Sequence, residues 1–161
     1  MIGKVPYLCA GLTGLPRKDH PRIKGFYAKI ADACQEKTGV RPYVPHEHSD
    51  PVLNKDLTPP QVYNLDENQV QNKTSVLIVV FIPDPRQDDE EIERYPFGSC
   101  GVGMEIQMAR EKRVPIIFLF PIGHILSRLP GGVPGLEKIL YYENQDHALQ
   151  MIKEAVTAYH S

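Results

Sequence analysis

Apolar and polar positions follow two different periods along this chain. The stretch VPYLCAG (5–11) is almost continuously apolar and reads as a strand, after which Ile23, Phe26, Tyr27, Ile30, Ala31 and Cys34 recur at helical spacing. VRPYV (40–44) predicts a short second strand and PHEHSDP (45–51) a loop. In TPPQVYNLDENQVQN (58–72), Thr58 precedes Pro59 at a first helical position and Gln61 sits where a capping box needs it, so a helix is expected from there. VLIVVFI (76–82) and VPIIFLF (114–120) are apolar at every position, as strands of a parallel sheet covered on both faces should be. A helix is expected between them and a late strand at ILYY (139–142). Ala148, Met151, Ile152, Ala155, Val156 and Tyr159 mark a closing amphipathic helix.

This strand–helix alternation predicts an α/β fold: a single domain, 1–161, built on an open parallel five-stranded sheet flanked by helices, Rossmann-like or flavodoxin-like. Ligands of such sheets bind beyond the carboxyl ends of the strands, so the loops that follow strands are where chemistry is expected. The longest of these, PDPRQDDEEIERYPFGSC (83–100), is rich in proline and acid and reads as a lid or a solvated face.

Composition narrows the classes. With 161 residues, 42% apolar, 24% charged and a formal charge of -2, the chain lacks the basic excess of a nucleic-acid binder. No stretch approaches the roughly 18–20 apolar residues of a membrane span, and no signal-peptide pattern opens the chain, so a cytoplasmic protein is expected. Cys9, Cys34 and Cys100 are widely spaced, without a C-x-x-C pair, and read as reduced thiols.

Two stretches carry candidate chemistry. In YLCAGLTGLPRKD (7–19), Gly11 and Gly14 bracket Thr13 at the end of the first strand, where a glycine turn can present backbone N–H groups to an anion. In GSCGVGMEIQMA (98–109), Gly101 and Gly103 precede Glu105, letting a ligand approach the chain closely. Ile106 stands where a dinucleotide fingerprint needs Gly or Ala, so nicotinamide binding is not expected, nor any other cofactor. Placed in the first turn of its helix, Glu105 is expected to stay ionised under the macrodipole, which suits a nucleophile; a capping carboxylate predicts the same ionisation. Asp66, on the helix after Thr58, and Tyr7, on the first strand, are its expected partners.

Together YLCAGLTG, LDENQVQNKTSVLIVV, SCGVGMEIQMA, VPIIFLF and ILYYENQDHALQMIKEAV resemble, in order, the nucleoside 2-deoxyribosyltransferase family, including its 2'-deoxynucleoside 5'-phosphate N-hydrolase branch. The resemblance implies that Glu105 attacks the anomeric carbon and carries a covalent glycosyl intermediate, that Asp66 positions the sugar and that Tyr7 orients the nucleophile. It implies that the sugar passes to another base or to water. It also places His48 near the base, and it matches Ser99 and Ser127 to positions that contact a 5'-phosphate, the second from a neighbouring subunit of a homodimer. Thr13 departs from the hydrolase pattern, which has a basic residue there, and the acidic segment is longer. The implied partner is a small-molecule nucleoside or nucleotide, neither a nucleic-acid polymer nor a membrane.

Two other readings compete. One is a non-catalytic nucleotide-binding or sensor domain in which Glu105 merely caps its helix. The other is a metal-dependent hydrolase using His46, His48 and Asp50, residue types that suit zinc or a similar ion.

Overall fold

The computed structural model describes residues 3–88 and 93–159; part of the acidic segment therefore lies outside the described residues. Its main sheet holds β1 (Val5–Ala10), β2 (Thr74–Val80), β5 (Ile116–Pro121) and β6 (Leu136–Tyr142), all parallel and adjacent in the order β1-β2-β5-β6. The dipeptides β3 (Ile82–Pro83) and β4 (Pro96–Phe97) pair antiparallel beside it, closing the base of the acidic segment. The helices are α1 (His20–Thr38), α2 (Pro45–Ser49), α3 (Pro59–Lys73), α4 (Cys100–Glu111), α5 (Arg128–Gly131) and α6 (Gln145–Val156).

The main sheet has four parallel strands, not the expected five, and two prolines explain the difference. Tyr43 forms a single parallel bridge to Tyr7, its N–H donating to the Pro6 carbonyl and its carbonyl accepting from the Leu8 N–H, both at 2.8 Å. Continuing that ladder one way needs an N–H from residue 45, and the other way an N–H from residue 6. Both are prolines and have none to donate. The stretch predicted as a loop after it becomes helix α2, with Pro45 at its first position.

Each face of the sheet is covered by helices. Leu8, Val76, Ile78, Val80, Ile117 and Leu119 point into a core shared with α1 and α6, where Ile30, Cys34, Ala148 and Ile152 are fully buried. The alternate residues Tyr7, Cys9, Leu77, Val79, Ile116 and Phe118 point to the other face, against Val102, Ile106 and Ala109 of α4 and Val70 of α3. Caps fix where the helices begin. Gln61 reaches back to the Thr58 N–H at 2.8 Å, as the capping box predicts, and Ser99 Oγ accepts from the Val102 N–H at 3.3 Å to start α4.

Candidate active site

A cleft of about 870 Å3 opens beyond the carboxyl end of β1, where an open parallel sheet places its ligands. One wall is the turn after β1, from Gly11 to Leu15; α3 supplies Val62 and Asp66, and α4 supplies Gly101, Val102 and Glu105 after its cap, Ser99. The β1 turn lies tightly against the α4 cap. A Cβ added at Gly11 would fall 2.9 Å from Ser99 Oγ and 3.0 Å from the Phe97 ring, so only glycine fits without displacement. From α1, Tyr27 Oη donates to the Gly11 carbonyl at 2.9 Å and anchors the turn, and Gly14 carries a left-handed φ of 93°.

At the floor of the cleft the Glu105 carboxylate receives two donors from one strand. Tyr7 Oη donates to Oε1 at 2.7 Å and Cys9 Sγ donates to Oε2 at 2.8 Å. Residues 7 and 9 share a face because a strand alternates with period two, and register with Leu77 and Val79 of β2 fixes both beneath α4. Burial and the neighbouring Glu105 charge push the Tyr7 hydroxyl and the Cys9 thiol far above their ordinary pKa values, so both remain protonated donors.

Glu105 itself is displaced from the state expected for it. It occupies the sixth position of α4, in the second turn rather than the first, where the dipole of the helix end has largely faded. Burial instead raises its pKa to about 7, against the opposing pull of the Cys9 and Tyr7 hydrogen bonds and with a smaller push from the Asp66 charge. The carboxyl therefore changes charge near neutral pH instead of staying ionised throughout. Across the cleft Asp66 is raised to about 6 by burial, and its Oδ1 is a buried acceptor without a hydrogen-bond partner among the described residues. An acceptor in that state is available to a substrate hydroxyl.

The remaining expected residues divide. Gly11, Thr13, Gly14, Ser99 and Gly101 line this cleft. Gly103 instead faces a second, largely apolar cavity of about 440 Å3 on the other side of α4, which Leu129, Pro130 and Val133 also line. Ser127 precedes α5, outside the residues that line either cavity. His48 stacks on Tyr43 at 4.3 Å between ring centroids and lies outside the cleft lining, which His46 joins in its place.

Residues 46, 48 and 50 do not converge as metal ligands. Asp50 is buried, pairs with Lys24 Nζ at 2.5 Å and accepts from the Val52 and Leu53 N–H groups, and the Lys24 hydrogen bond foremost holds its pKa down at about 2. His46 packs on Tyr27, and burial lowers its pKa and keeps it neutral. Among the described residues no group of three His, Cys, Asp or Glu side chains gathers to hold a metal ion.

Sequence reasoning passed over Cys9 and Lys24. The signal for Cys9 was present, because a residue two places from Tyr7 on a strand must share its face. Lys24 carried none, since its approach to Asp50 spans 26 residues and depends on how α1 meets the segment after α2.

The fold and the cleft define an α/β protein with a paired carboxyl site at the strand ends. Superposed on known structures, 94% of the chain matches 99% of the CMP N-glycosidase BcmB from Clostridium botulinum, with a TM-score of 0.61 and 17% identity. A conserved protein from Enterococcus faecalis matches 95% of the chain over 99% of its own length, with a TM-score of 0.62 and 15% identity. These likenesses establish a shared fold. No protein-family model and no curated protein sequence matches the chain.

Proposed function

We propose that this protein cleaves the N-glycosidic bond of a nucleoside, a deoxynucleoside or a 5'-monophosphate of either. The observation that carries the reading is the Glu105 carboxylate, held by two donors at the floor of a cleft that Asp66 faces with an unpaired acceptor. A glycosidic bond to a base breaks through an oxocarbenium-like state, which a carboxylate beneath the anomeric carbon stabilises and then captures. In this reading Glu105 forms the bond to the anomeric carbon as the base departs with the bonding electron pair. Tyr7 orients the nucleophile, Asp66 accepts from a sugar hydroxyl, and water or a second base then attacks the glycosyl ester and restores the carboxylate. Gly11, Thr13, Gly14, Ser99 and Gly101 form the surface around the sugar and any 5'-phosphate. The CMP N-glycosidase activity of the similarly folded protein fits this class of reaction.

The whole chain is read as one nucleoside 2-deoxyribosyltransferase-like domain that works as a cytoplasmic homodimer. Among the described residues no helix is long and apolar enough to cross a membrane. Support for the dimer comes from the apolar cavity beside α4 and from Leu129, 87% exposed at its rim, a hydrocarbon surface that a second copy would cover and that lies next to Ser127.

The test is base release from a panel of nucleosides and 5'-monophosphates, CMP included, with and without a second free base. Release that depends on Glu105 supports the reading, and formation of a new nucleoside marks transfer over hydrolysis. No release from any member, with ligands still binding in the cleft, would favour a binding domain instead. Sedimentation at micromolar concentration showing only monomer would remove the dimer.

A further inference from the structure

We propose that Cys9 is a positioning residue for the nucleophile: its thiol holds the Glu105 oxygen that Tyr7 does not, and the two donors together set the plane of the carboxylate toward the cleft. The inference rests on the reading of Glu105 as the nucleophile.

The geometry leaves little freedom for another role. Cys9 is fully buried between β1 and the helices on that face, so its thiol cannot exchange partners with water. The other acceptor near it is the Val102 carbonyl, at 3.9 Å against 2.8 Å for Glu105 Oε2. A carboxylate gripped at one oxygen can still turn about the bond that joins it to the side chain. Gripped at both oxygens, by groups two residues apart on one hydrogen-bonded strand, it cannot turn without breaking one of the contacts. Each oxygen keeps a lone pair for the cleft, so either can attack while the other remains bound.

The same contact bears on charge. A donor to a carboxylate favours its ionised form, and here two donors oppose the burial that pushes Glu105 the other way. The groups that share this environment are Tyr7 and Cys9 from β1, Asp66 from α3 and Tyr43 from the segment bridged to β1. Asp66 disfavours the ionised form of Glu105 and Tyr43 offers it no hydrogen bond, so among the described residues the Cys9 thiol is one of two groups that sustain the charged nucleophile.

The experiment is the pH dependence of kcat/KM for base release by the wild type, Cys9→Ala and Cys9→Ser, with thermal unfolding showing that each variant folds. Loss of the donor in Cys9→Ala should move the acid limb up by about one pH unit, a roughly tenfold loss on the acid side, with the effect falling on kcat more than on KM. Cys9→Ser, which keeps a hydroxyl donor, should return the limb toward the wild-type position. A Cys9→Ala profile that superimposes on the wild type overturns the proposal, as does a Cys9→Ser limb that stays with Cys9→Ala. The infrared S–H stretch supplies a readout that needs no turnover, because donation to the carboxylate lowers its frequency. The band that Cys9→Ala removes should rise in frequency in Glu105→Ala, and a band unmoved by that change overturns the contact. If the wild type releases no base while the band responds, the glycosidase reading fails and the hydrogen bond is upheld.

Discussion

The two faces of the sheet are built from alternate residues of the same strands, yet they answer to different demands. On the face toward α1 and α6, Leu8, Ile78 and Leu119 meet Ile30 and Ile152 in a layer of fully buried hydrocarbon. On the face toward α3 and α4, Tyr7 and Cys9 share their layer with Leu77, Val79 and Phe118 but aim polar atoms at a carboxyl group. Hydrocarbon packing is favourable at any pH, whereas a carboxyl group among apolar neighbours costs stability whenever it ionises. One face thus supports the fold, and the other gives up part of that support to hold a buried carboxyl group in place.

If the proposed function holds, substitution on the face toward α4 should separate activity from folding most sharply. Glu105→Gln is expected to lower base release by at least about 10³-fold while the protein stays folded, because under the proposed function it removes the nucleophile but keeps the volume. A 2-fluorinated nucleoside analogue should leave a glycosyl adduct on the wild type, detected by intact mass and mapped to the peptide around Glu105, and none on the variant. Near-normal turnover by Glu105→Gln, or an adduct on Asp66, would dissolve the contrast between the faces. On the opposite face Ile78→Ala should do the reverse, lowering stability by about 2–5 kcal/mol in denaturant unfolding while the folded fraction keeps its kcat.

The pH dependence of stability sharpens the contrast. The Glu105 pKa is raised in the folded protein from 4.5 to about 7, so between those values the folded state binds the extra proton. Its contribution is therefore fully present below pH 4.5 and is lost as pH rises to about 7. Asp66, raised to about 6, adds a change of the same sign in the lower part of that window. Glu105→Gln should flatten this decline, gaining up to about 3 kcal/mol over the wild type at pH 8 relative to their difference at pH 4. Parallel pH profiles of unfolding for the two proteins would show that the carboxyl is not held out of water. The smallest effect is expected at the edge of the cleft. Gly11→Ala must displace Ser99 or Phe97 and should weaken substrate binding about tenfold, read as a rise in KM, with a stability loss of about 1–2 kcal/mol.

Much of this architecture was legible in the chain because it depends on local period and local chemistry. The all-apolar runs marked β2 and β5, and Thr58 with Gln61 marked the start of α3. The spacing of Ile23, Phe26, Tyr27, Ile30 and Cys34 marked the buried side of α1. The fifth strand misled because VRPYV has strand composition, while its loss depends on an N–H missing from Pro6, a residue 34 or more positions away. Gly11, Thr13 and Gly14 follow from the rule that ligands gather beyond strand ends, Gly101 from the glycines ahead of Glu105 and Ser99 from the family resemblance, and all line the cleft.

Which residues form strands and helices, and which side of each is apolar, is written locally in the chain, since period and capping act within a few residues. The tertiary structure alone decided that Cys9 would join Tyr7 on Glu105, that Lys24 would neutralise Asp50, and that His46 would face the cleft while His48 stacked on Tyr43. It also decided the charge state of Glu105. The sequence suggested a helix-end carboxylate held ionised, but a pKa depends on the water excluded and the donors supplied by every element packed around the group. For Glu105 those elements are β1 and α3, brought against α4 from far along the chain.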